Sequence, residues 1–432
     1  MADDQSREDV KRRNRMKIQK AYKTELKVNN KQSSYLIGHI GAARHVYNWG
    51  LEQRIKEYKE TGKSSNAIAQ HRQLNELKKG EKSWLYEYSK CAGQESLRDL
   101  DKAFSNFFRR CKQKKAGVKV GYPKFKKRKE GSGSFRLTGA IHIEENRIKL
   151  PRIGWIKLYE SGYLPVGVKP KSVTVSLDVD KWYVSLLVEE ELPDEKGQSE
   201  GIGIDVGLKE LAICSDGERF ENIKSLKKHE RKLRLAQREL SRRKKGGKNR
   251  KKSIIKVQKV HRNIRNVRID YIQKVTSQVA RAKSPDLRPS FIVVEDLNIA
   301  GMMKNGNLSK SVADASMQMF HRMIEYKCQW YGIDLIKADR WYPSSKRCND
   351  CGATYKELKL SEREWACTEC GVVHDRDLNA ALNLRDYPFL NENNTASSVG
   401  INAFGEGVRS ENEVDVSGSF VELGIKQQTR FV

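Results

Sequence analysis

The most informative stretch of the chain lies between residues 348 and 381. It begins with Cys348-Asn-Asp-Cys351-Gly, resumes after 15 residues with Cys367-Thr-Glu-Cys370-Gly, and ends with His374-Asp-Arg-Asp-Leu-Asn-Ala-Ala381. Two cysteine pairs at this spacing predict a ribbon in which Cys348, Cys351, Cys367 and Cys370 bind one structural Zn²⁺. The glycine after each pair predicts a tight turn that directs backbone amides at the thiolates. A redox-active cysteine pair is the alternative.

Two aspartates follow the second pair and precede an apolar helix. Asp377 is suited to capping this helix, a frequent role of aspartate, or to binding a divalent cation, and Asp375 competes for either role. The residues alone do not rank Asp375 against Asp377. Since four cysteines complete the zinc site, we expect His374 to form a hydrogen bond or contact phosphate, and not to be a fifth ligand.

Two further carboxylates lie far upstream, on predicted strands. In Gly201-Ile-Gly-Ile-Asp-Val-Gly-Leu208 the apolar residues alternate with glycines and Asp205, which predicts a central strand. We expect the flanking glycines to leave space beside Asp205 for a phosphate backbone. Phe291-Ile-Val-Val294 predicts a strand covered on both faces, with Glu295 at the end where α/β sheets bind ligands. An Asp hydrogen-bonded in a turn and a solvated Glu are the ordinary alternatives.

Three carboxylates on neighbouring elements suit magnesium. Mg²⁺ prefers oxygen ligands and keeps several waters. Two such ions about 4 Å apart activate water and stabilise the leaving oxygen of a phosphodiester. Together with the zinc ribbon, this pattern predicts a metal-dependent nuclease.

The charge of the chain indicates a polyanionic partner. Its 432 residues include 84 Lys plus Arg and 55 Asp plus Glu, a net charge of +29. Such an excess costs self-repulsion unless a polyanion relieves it, so we expect nucleic acid. A membrane is disfavoured because no spanning stretch or amphipathic anchor is found, and the charged start of the chain does not resemble a signal peptide. The clustered and scattered cysteines favour a reducing cytosol over a disulfide framework.

Two basic segments are candidates for nucleic-acid contact, although a solvated charged face is the usual role of such runs. Residues 109–129 combine cations with aromatic side chains, which suits backbone tracking and base stacking. Residues 242–252 contain eight cations in the turn between two predicted helices. The candidate residues are Arg109, Arg110, Tyr122, Lys124, Phe125, Lys126, Lys127, Arg128, Arg242, Arg243, Lys244, Lys245, Lys248, Arg250, Lys251 and Lys252.

The order of predicted elements indicates a multidomain α/β protein with a β-barrel and a helical module. Helical periodicity marks residues 34–58, 67–88 and 93–112. Short strands between Gly or Pro turns follow, typical of a small barrel or sandwich. From Gly201 onward, strands and helices mix as in an α/β domain with an insertion.

These residues resemble the transposon-encoded TnpB (OrfB) family, ancestral relatives of the type V CRISPR nucleases. The resemblance covers nearly the whole chain. It rests on Gly203-Ile-Asp-Val-Gly-Leu-Lys209, Val293-Val-Glu-Asp-Leu297, Tyr342-Pro-Ser-Ser345, His374-Asp-Arg-Asp-Leu-Asn-Ala-Ala381, Ala42-Ala-Arg-His-Val-Tyr-Asn48 and Gly121-Tyr-Pro-Lys-Phe125.

The resemblance implies an RNase H-like RuvC domain in which Asp205, Glu295 and Asp377 are the catalytic triad and bind Mg²⁺, two ions in all. It therefore favours Asp377 over Asp375. It also implies an inserted zinc ribbon, an oligonucleotide-binding-like wedge domain and a small helical recognition domain. The expected boundaries are 1–16 disordered extension, 17–33 and 117–198 wedge, 34–116 helical recognition, 199–340 and 374–385 RuvC, 341–373 zinc ribbon, and 386–432 mostly disordered acidic tail.

In function, the resemblance implies an RNA-guided DNA endonuclease of a transposable element. A guide RNA from the transposon end would direct cutting of double-stranded DNA beside a short motif, by in-line attack of water without a covalent enzyme intermediate. We expect a monomer in the prokaryotic cytosol or nucleoid, without membrane or small-molecule cofactor. The alternatives are a nuclease-inactive RNA-guided DNA-binding regulator, which should have lost triad carboxylates, and an RNase H-like DNA transposase.

Overall fold

The computed structural model describes residues 17–113, 120–129, 131–191, 196–281, 284–359 and 361–392. The described residues form two compact units. One comprises those of 19–190 and 244–255, and the other comprises 17–18 with those of 191–243 and 256–392. The predictions for residues 1–16 and 393–432 lie outside the described ranges.

Three helices of the 19–190 unit occur where the periodicity predicts them, although the second, predicted over 67–88, ends at Lys78. They are α1 (Asn30–Thr61), α2 (Ala67–Lys78) and α3 (Lys90–Lys112), with a 3₁₀ turn at Ser83–Glu87. Helix α1 begins ahead of the predicted start because Asn29 and Gln32 form a capping box, and it ends at Gly62, whose φ is 68°. Leu97 and Leu100 of α3 are fully buried among apolar residues of α1. The helical module is therefore confirmed.

The same unit contains a seven-stranded sheet in the order β2-β6-β7-β1-β5-β4-β3. Among the described residues the two end strands do not pair, so the prediction of a closed barrel is wrong. Strand β3 is only two residues long, and helix residues Leu36, Ala43 and Ala92 pack into the core of the sheet. Helices thus cover the apolar face that closure would have buried. The strands are β1 (Lys17–Lys27), β2 (Ser132–Leu137), β3 (His142–Ile143), β4 (Arg147–Leu150), β5 (Gly154–Leu158), β6 (Ser172–Asp178) and β7 (Lys181–Glu191).

The second unit is the mixed α/β structure that the sequence predicts. Its strands are β8 (Ile202–Asp205), β9 (Glu210–Cys214), β10 (Arg219–Glu221), β11 (Phe291–Glu295) and β12 (Asp334–Ala338), in the order β10-β9-β8-β11-β12. The first three are antiparallel neighbours, whereas β11 runs parallel to β8 and β12. A separate hairpin pairs β13 (Glu364–Ala366) with β14 (Val373–Asp375).

The remaining helices are α4 (Ser225–Ser241), α5 (Lys248–Val279), α6 (Ile299–Met302), α7 (Ser309–Ala315), α8 (Met317–Tyr331) and α9 (Arg376–Glu392), with a 3₁₀ turn at Pro285–Leu287. The predicted helix near 310–331 is interrupted at Ser316, whose φ is 55°. Helix α9 runs seven residues into the predicted acidic tail, because Tyr387 packs on Tyr342 and Phe389 packs on Phe291. No helix in the described ranges is long and apolar enough to cross a membrane.

Gly203 decides how closely α9 approaches the sheet. A Cβ atom at this position would lie 2.0 Å from the carbonyl oxygen of Ala381 and 2.3 Å from the backbone nitrogen of Arg385. The helix backbone therefore fills the space that the sequence analysis assigned to a phosphate backbone, and that expectation is wrong at Gly203. What the glycine allows instead is contact between α9 and the strand that carries Asp205.

Candidate metal centres of the α/β unit

The four predicted zinc ligands lie together. Their Sγ atoms are all within 4.8 Å of one another. Cys348 and Cys370 are 3.7 Å apart, and Cys351 and Cys367 are 3.5 Å apart. Zn–S bonds of about 2.3 Å in a tetrahedron place the sulfurs about 3.8 Å apart. The four cysteines can therefore hold a tetrahedral metal ion.

The backbone builds this cluster as predicted. Gly352 and Gly371 have φ values of 78° and 74°, in the region that favours glycine. The N–H of Gly371 donates to the carbonyl oxygen of Cys367 at 2.9 Å. The N–H groups of Cys370 and Glu369 donate to the Cys367 sulfur and lower the pKa of this thiol to about 7. The second turn thus stabilises the thiolate of Cys367, the form that binds metal.

His374 supports the cluster from the side. Its Nε2 is 3.0 Å from the Cys348 sulfur, and its ring lies against Trp365 with centroids 4.9 Å apart. The side chain is buried. Of the two roles expected for His374, the structure therefore shows the hydrogen bond.

Two asparagines fasten the ribbon to α9, a role that the sequence analysis missed. Asn379 donates to the carbonyl oxygen of Arg347 at 2.7 Å, and Asn383 donates to the same oxygen at 2.6 Å. Asn383 also donates to the carbonyl oxygen of Ser344 at 2.8 Å. The available signal was the four-residue spacing of the asparagines, which puts both on one helix face.

Two of the predicted triad carboxylates end neighbouring parallel strands. Asp205 is the last residue of β8 and Glu295 is the last residue of β11, and the preceding residues Ile204 and Val294 are paired. The hydroxyl group of Ser344 donates a hydrogen bond to Glu295. Both carboxylates therefore lie at the carboxyl edge of the parallel pair, where such sheets bind ligands.

Of the two competing aspartates, Asp375 caps α9. Its Oδ1 accepts the N–H of Asp377 at 3.1 Å and that of Leu378 at 2.9 Å, the pattern of an N-cap. Burial alone raises the pKa of Asp375, but the Leu378 N–H and the Arg219 guanidinium outweigh it and hold this pKa below its ordinary value. Asp377, in the first turn, is left to face other groups.

The electrostatics of Asp205 show that the three carboxylates interact. Burial raises the pKa of Asp205, the charges of Glu295 and Asp377 add to the rise, and together these causes bring this pKa to about 8. Arg376 and Arg363 oppose it without cancelling it. A site with uncompensated negative charge of this kind fits a divalent cation.

Arg363 is the main partner of Asp377. Its Nη1 lies 2.8 and 3.1 Å from the two carboxylate oxygens of Asp377. The oxygens of Asp205, Glu295 and Asp377 do not all come within 4.8 Å of one another, although all three residues are described. The structure thus brings together the elements that carry the three predicted triad carboxylates. The carboxylate of Asp377, however, pairs with Arg363, which was not among the predicted site residues.

The candidate nucleic-acid residues are at the surface. In 109–129 the side chains of Tyr122 and Phe125 are 45% and 50% exposed, and the cations named from this segment are exposed as well. Those of 242–252 are exposed too, except Arg250, which is partly buried. Asn48 fixes the first segment on α1 by bonding both the N–H and the carbonyl oxygen of Lys126.

Comparison with known proteins gives matches along most of the chain. Residues 318–384 match the family described as "Cas12f1-like, TNB domain" and residues 183–306 the family described as "Probable transposase". Residues 16–63 match "Helix-turn-helix domain", although residues 17–61 here form β1 and the single helix α1.

Whole-length relatives are also found. A Streptomyces pristinaespiralis protein named "Putative RNA-guided DNA endonuclease" is 35% identical over 93% of this chain and 94% of its own length. An Escherichia coli K12 protein, "Putative RNA-guided DNA endonuclease InsQ", is 32% identical over 85% of this chain and 92% of its own. Among solved structures, "Cryo-EM structure of the Cas12f1-sgRNA-target DNA complex" matches with a TM-score of 0.54 and 14% identity, covering 85% of this chain and 99% of that one. This last likeness shows a Cas12 effector-like fold, and the whole-length relatives show that the chain belongs to the TnpB (OrfB) family, relatives of the type V effectors.

Proposed function

We propose that this protein is an RNA-guided DNA endonuclease of a transposable element, which cuts target DNA beside a short flanking motif. The names of the whole-length relatives support this activity. The observation that carries it is the meeting of Asp205, Glu295 and Asp377 near one sheet edge, where burial and the charges of Glu295 and Asp377 raise the pKa of Asp205. A buried acid whose pKa is shifted this far beside two further acids is typical of a functional site.

The α/β unit is proposed to be the RNase H-like RuvC domain. Support comes from its strand order, with three antiparallel strands extended by two parallel ones. Support also comes from the positions of the carboxylates on β8, β11 and the final helix. The antiparallel sheet of the other unit is proposed to be the oligonucleotide-binding-like wedge, and its helices the recognition module.

Two kinds of metal site follow from the donor atoms. Cys348, Cys351, Cys367 and Cys370 would hold a structural Zn²⁺, since their thiolates leave no open ligand position. The oxygens of Asp205, Glu295 and Asp377 would hold Mg²⁺. When bound there, Mg²⁺ activates water and stabilises the leaving oxygen of a phosphodiester.

The surrounding residues prepare the carboxylates for this task. Ser344 fixes the orientation of Glu295 through its hydroxyl group. Asp375 accepts the capping hydrogen bonds, so the oxygens of Asp377 are not engaged by the N–H groups at the start of α9. Arg363 neutralises Asp377, and its guanidinium has to move for Asp377 to bind a cation.

The proposed partners are a guide RNA from the transposon end and double-stranded target DNA. The solved structural neighbour is a complex with both kinds of nucleic acid, an sgRNA and target DNA. In this chain, the net charge of +29 and the exposed cations of 109–129 and 242–252 supply the phosphate contacts. The sequence of the target would be read by base pairing with the guide.

The first experiment is to sequence the RNA that copurifies with the protein when its native flanking DNA is present. The complex is then tested on DNA complementary to the variable end of that RNA. We expect Asp205→Ala to abolish cutting while guide and target binding persist. Asp216→Ala, at a surface carboxylate paired with Arg281, is the matched control and should still cut. Full cutting by Asp205→Ala would disprove the assignment.

A DNA transposase is the second candidate, favoured by the description of the family that residues 183–306 match. Strand transfer uses the same phosphate chemistry, so the carboxylates do not separate the two. The discriminating result is the nucleic acid required. Activity on transposon-end DNA without bound RNA would favour the transposase.

A further inference from the structure

Trp341 is the most solvent-exposed large apolar side chain that the structure describes, with 85% of its surface accessible. It lies in the loop between β12 and the first cysteine pair. Leaving an indole in water forfeits the free energy that its burial would contribute. A tryptophan presented in this way is a candidate for contact with a ligand.

The loop that carries Trp341 is fixed to the carboxylate site. The Trp341 N–H donates to Oδ1 of Asp339 at 2.8 Å, and the Tyr342 N–H donates to the carbonyl oxygen of Asp339 at 3.0 Å. The hydroxyl group of Ser344, three residues after Trp341, donates a hydrogen bond to Glu295. Hydrogen bonds therefore fix the backbone of the Trp341 loop relative to Glu295, a proposed metal ligand.

The distance to the site is short. Ala338, the last residue of β12, is paired with Glu295 in the sheet. Three residues of chain span at most about 11 Å. Since neighbouring strands lie about 5 Å apart, the Cα of Trp341 is within about 16 Å of that of Glu295, a few nucleotides along a bound strand.

A cavity of about 540 Å³ adjoins the indole. Its lining carries two acids, Asp296 and Asp339, and two bases, Lys337 and Arg340, so its charges balance. A cavity without excess positive charge favours a flat, neutral, hydrogen-bonding ligand over a phosphate. The lining residues are Asp296, Lys337, Ala338, Asp339, Arg340 and Trp341.

We propose that Trp341 and this cavity bind an unpaired nucleobase of the DNA strand, within a few nucleotides of the phosphate that is cut. This inference rests on the proposed endonuclease function and adds a requirement on its substrate. Inside a duplex both faces of a base are covered by neighbouring bases, so an indole can stack only on a base that has been separated from its partner.

The test uses the full-length protein with its copurified RNA, in an Asp205→Asn background so that the probe survives. The probe is a short single-stranded oligodeoxynucleotide with 2-aminopurine placed at each position in turn, because stacking quenches its fluorescence. We expect quenching at one or two neighbouring positions, lost in Trp341→Ala and largely kept in Trp341→Phe. The Kd should rise about 5- to 100-fold in Trp341→Ala with an unchanged salt dependence, since stacking is independent of counterion release.

Two control variants make the result specific. Trp84→Ala removes a partly exposed tryptophan of the other unit and should leave quenching and Kd unchanged. Lys245→Ala, in the basic turn, should flatten the salt dependence and leave quenching intact. The exposure of Trp341 means that Trp341→Ala should unfold at the same temperature as its parent.

The outcomes separate this inference from the proposed function. A protein that cuts guided DNA but shows no Trp341-dependent quenching overturns the base-binding site alone. Quenching of a matched RNA oligonucleotide and not of DNA assigns the cavity to RNA and also overturns the inference. Trp341-dependent quenching in a protein that cuts no DNA with any guide overturns the endonuclease and leaves a nucleobase-binding site without cleavage.

Discussion

The cysteine ribbon and the carboxylate site are two candidate metal centres in one unit, assembled in opposite ways. The ribbon ligands come from two short turns, and their sulfurs already stand at distances suited to a tetrahedral ion. The carboxylates come from β8, β11 and α9, and their oxygens are not gathered to ligand spacing.

The difference follows from the ligands. Backbone N–H groups can stabilise thiolates locally, as they do at Cys367. Three carboxylates at a partly buried sheet edge repel one another, and nearby cations offset that repulsion. The ribbon can therefore form from nearby residues, whereas the carboxylate site depends on packing between distant elements and on a counter-charge.

The sharpest way to break this comparison is to remove one ribbon ligand. We expect about one zinc per chain in the native protein and none in Cys367→Ser, with loss of cutting, because structural zinc contributes on the order of 10 kcal/mol to folding of such domains. Elemental analysis and thermal unfolding are the measurements. Cys111→Ser, at an exposed cysteine outside the ribbon, should retain zinc and activity. A zinc-free preparation with full activity would show that the ribbon needs no metal.

The second prediction concerns the counter-charge. Arg363→Gln should keep its zinc and reach half-maximal cutting at an Mg²⁺ concentration about 10-fold lower, because a charge-assisted pair of about 1.5 kcal/mol no longer has to break before Asp377 binds a cation. The assay is guided cleavage under single-turnover conditions over a series of Mg²⁺ concentrations. Arg219→Gln removes an arginine from Asp375 instead and should have a smaller effect. Equal shifts of the Mg²⁺ requirement in the two variants would mean that the local net charge matters and the Arg363–Asp377 pair does not.

Packing under the carboxylates can be tested at Gly203. Gly203→Ala should lower the free energy of unfolding by about 1–3 kcal/mol or more, since the new methyl group meets the backbone of α9. Zinc content should be unchanged, because the ribbon turns are local. Urea unfolding gives the value, and Gly41→Ala, where a Cβ meets nothing within 4 Å, should not destabilise. Equal stability of the two variants would mean that α9 does not rest on Gly203 in solution.

Sequence reasoning predicted the parts of this molecule that depend on local spacing. The cysteine cluster and its glycine turns follow from residues a few positions apart, and strands β8 and β11 follow from their apolar patterns. Asp375 and Asp377 could not be ranked from the residues, because capping depends on which oxygen faces the helix start. The resemblance to a known family supplied the preference for Asp377.

Features that depend on partners distant in sequence were missed or wrong. Arg363 stands in the charged run Ser361-Glu-Arg-Glu364, and nothing in its spacing identifies Asp377 as its partner. The sheet of the other unit stays open because helices cover its apolar face. The strand patterns in the sequence do not show which elements cover that face. The space beside Asp205 was misjudged because the alternation of a strand does not show which element packs on it.

The prediction with the smallest expected effect tests whether burial alone, without repulsion between like charges, shifts the pKa of a charged group in this unit. Lys327 is buried, and its ammonium donates only to neutral groups: the carbonyl oxygen of Gln273 and the hydroxyl groups of Thr276 and Ser277. Burial lowers the pKa of Lys327 from 10.5 to about 8. Between pH 8 and 10.5 the unfolded chain binds more protons at this group than the folded chain does. The free energy of unfolding should therefore rise with pH over this range. Below about pH 8 both states are protonated, and this group causes no change with pH.

Lys327→Met lacks the titrating group and gives the reference. The free energy of unfolding of the native protein relative to Lys327→Met should increase by on the order of 2 kcal/mol across that pH range. Urea unfolding of both proteins at matched pH values measures the difference, and Lys274→Met, at an exposed lysine paired with Asp270, should show no such rise. A flat difference would mean that the three acceptors compensate fully for burial. The predicted rise would instead support burial as the main cause of the raised pKa of Asp205, with the charges of Glu295 and Asp377 adding to it.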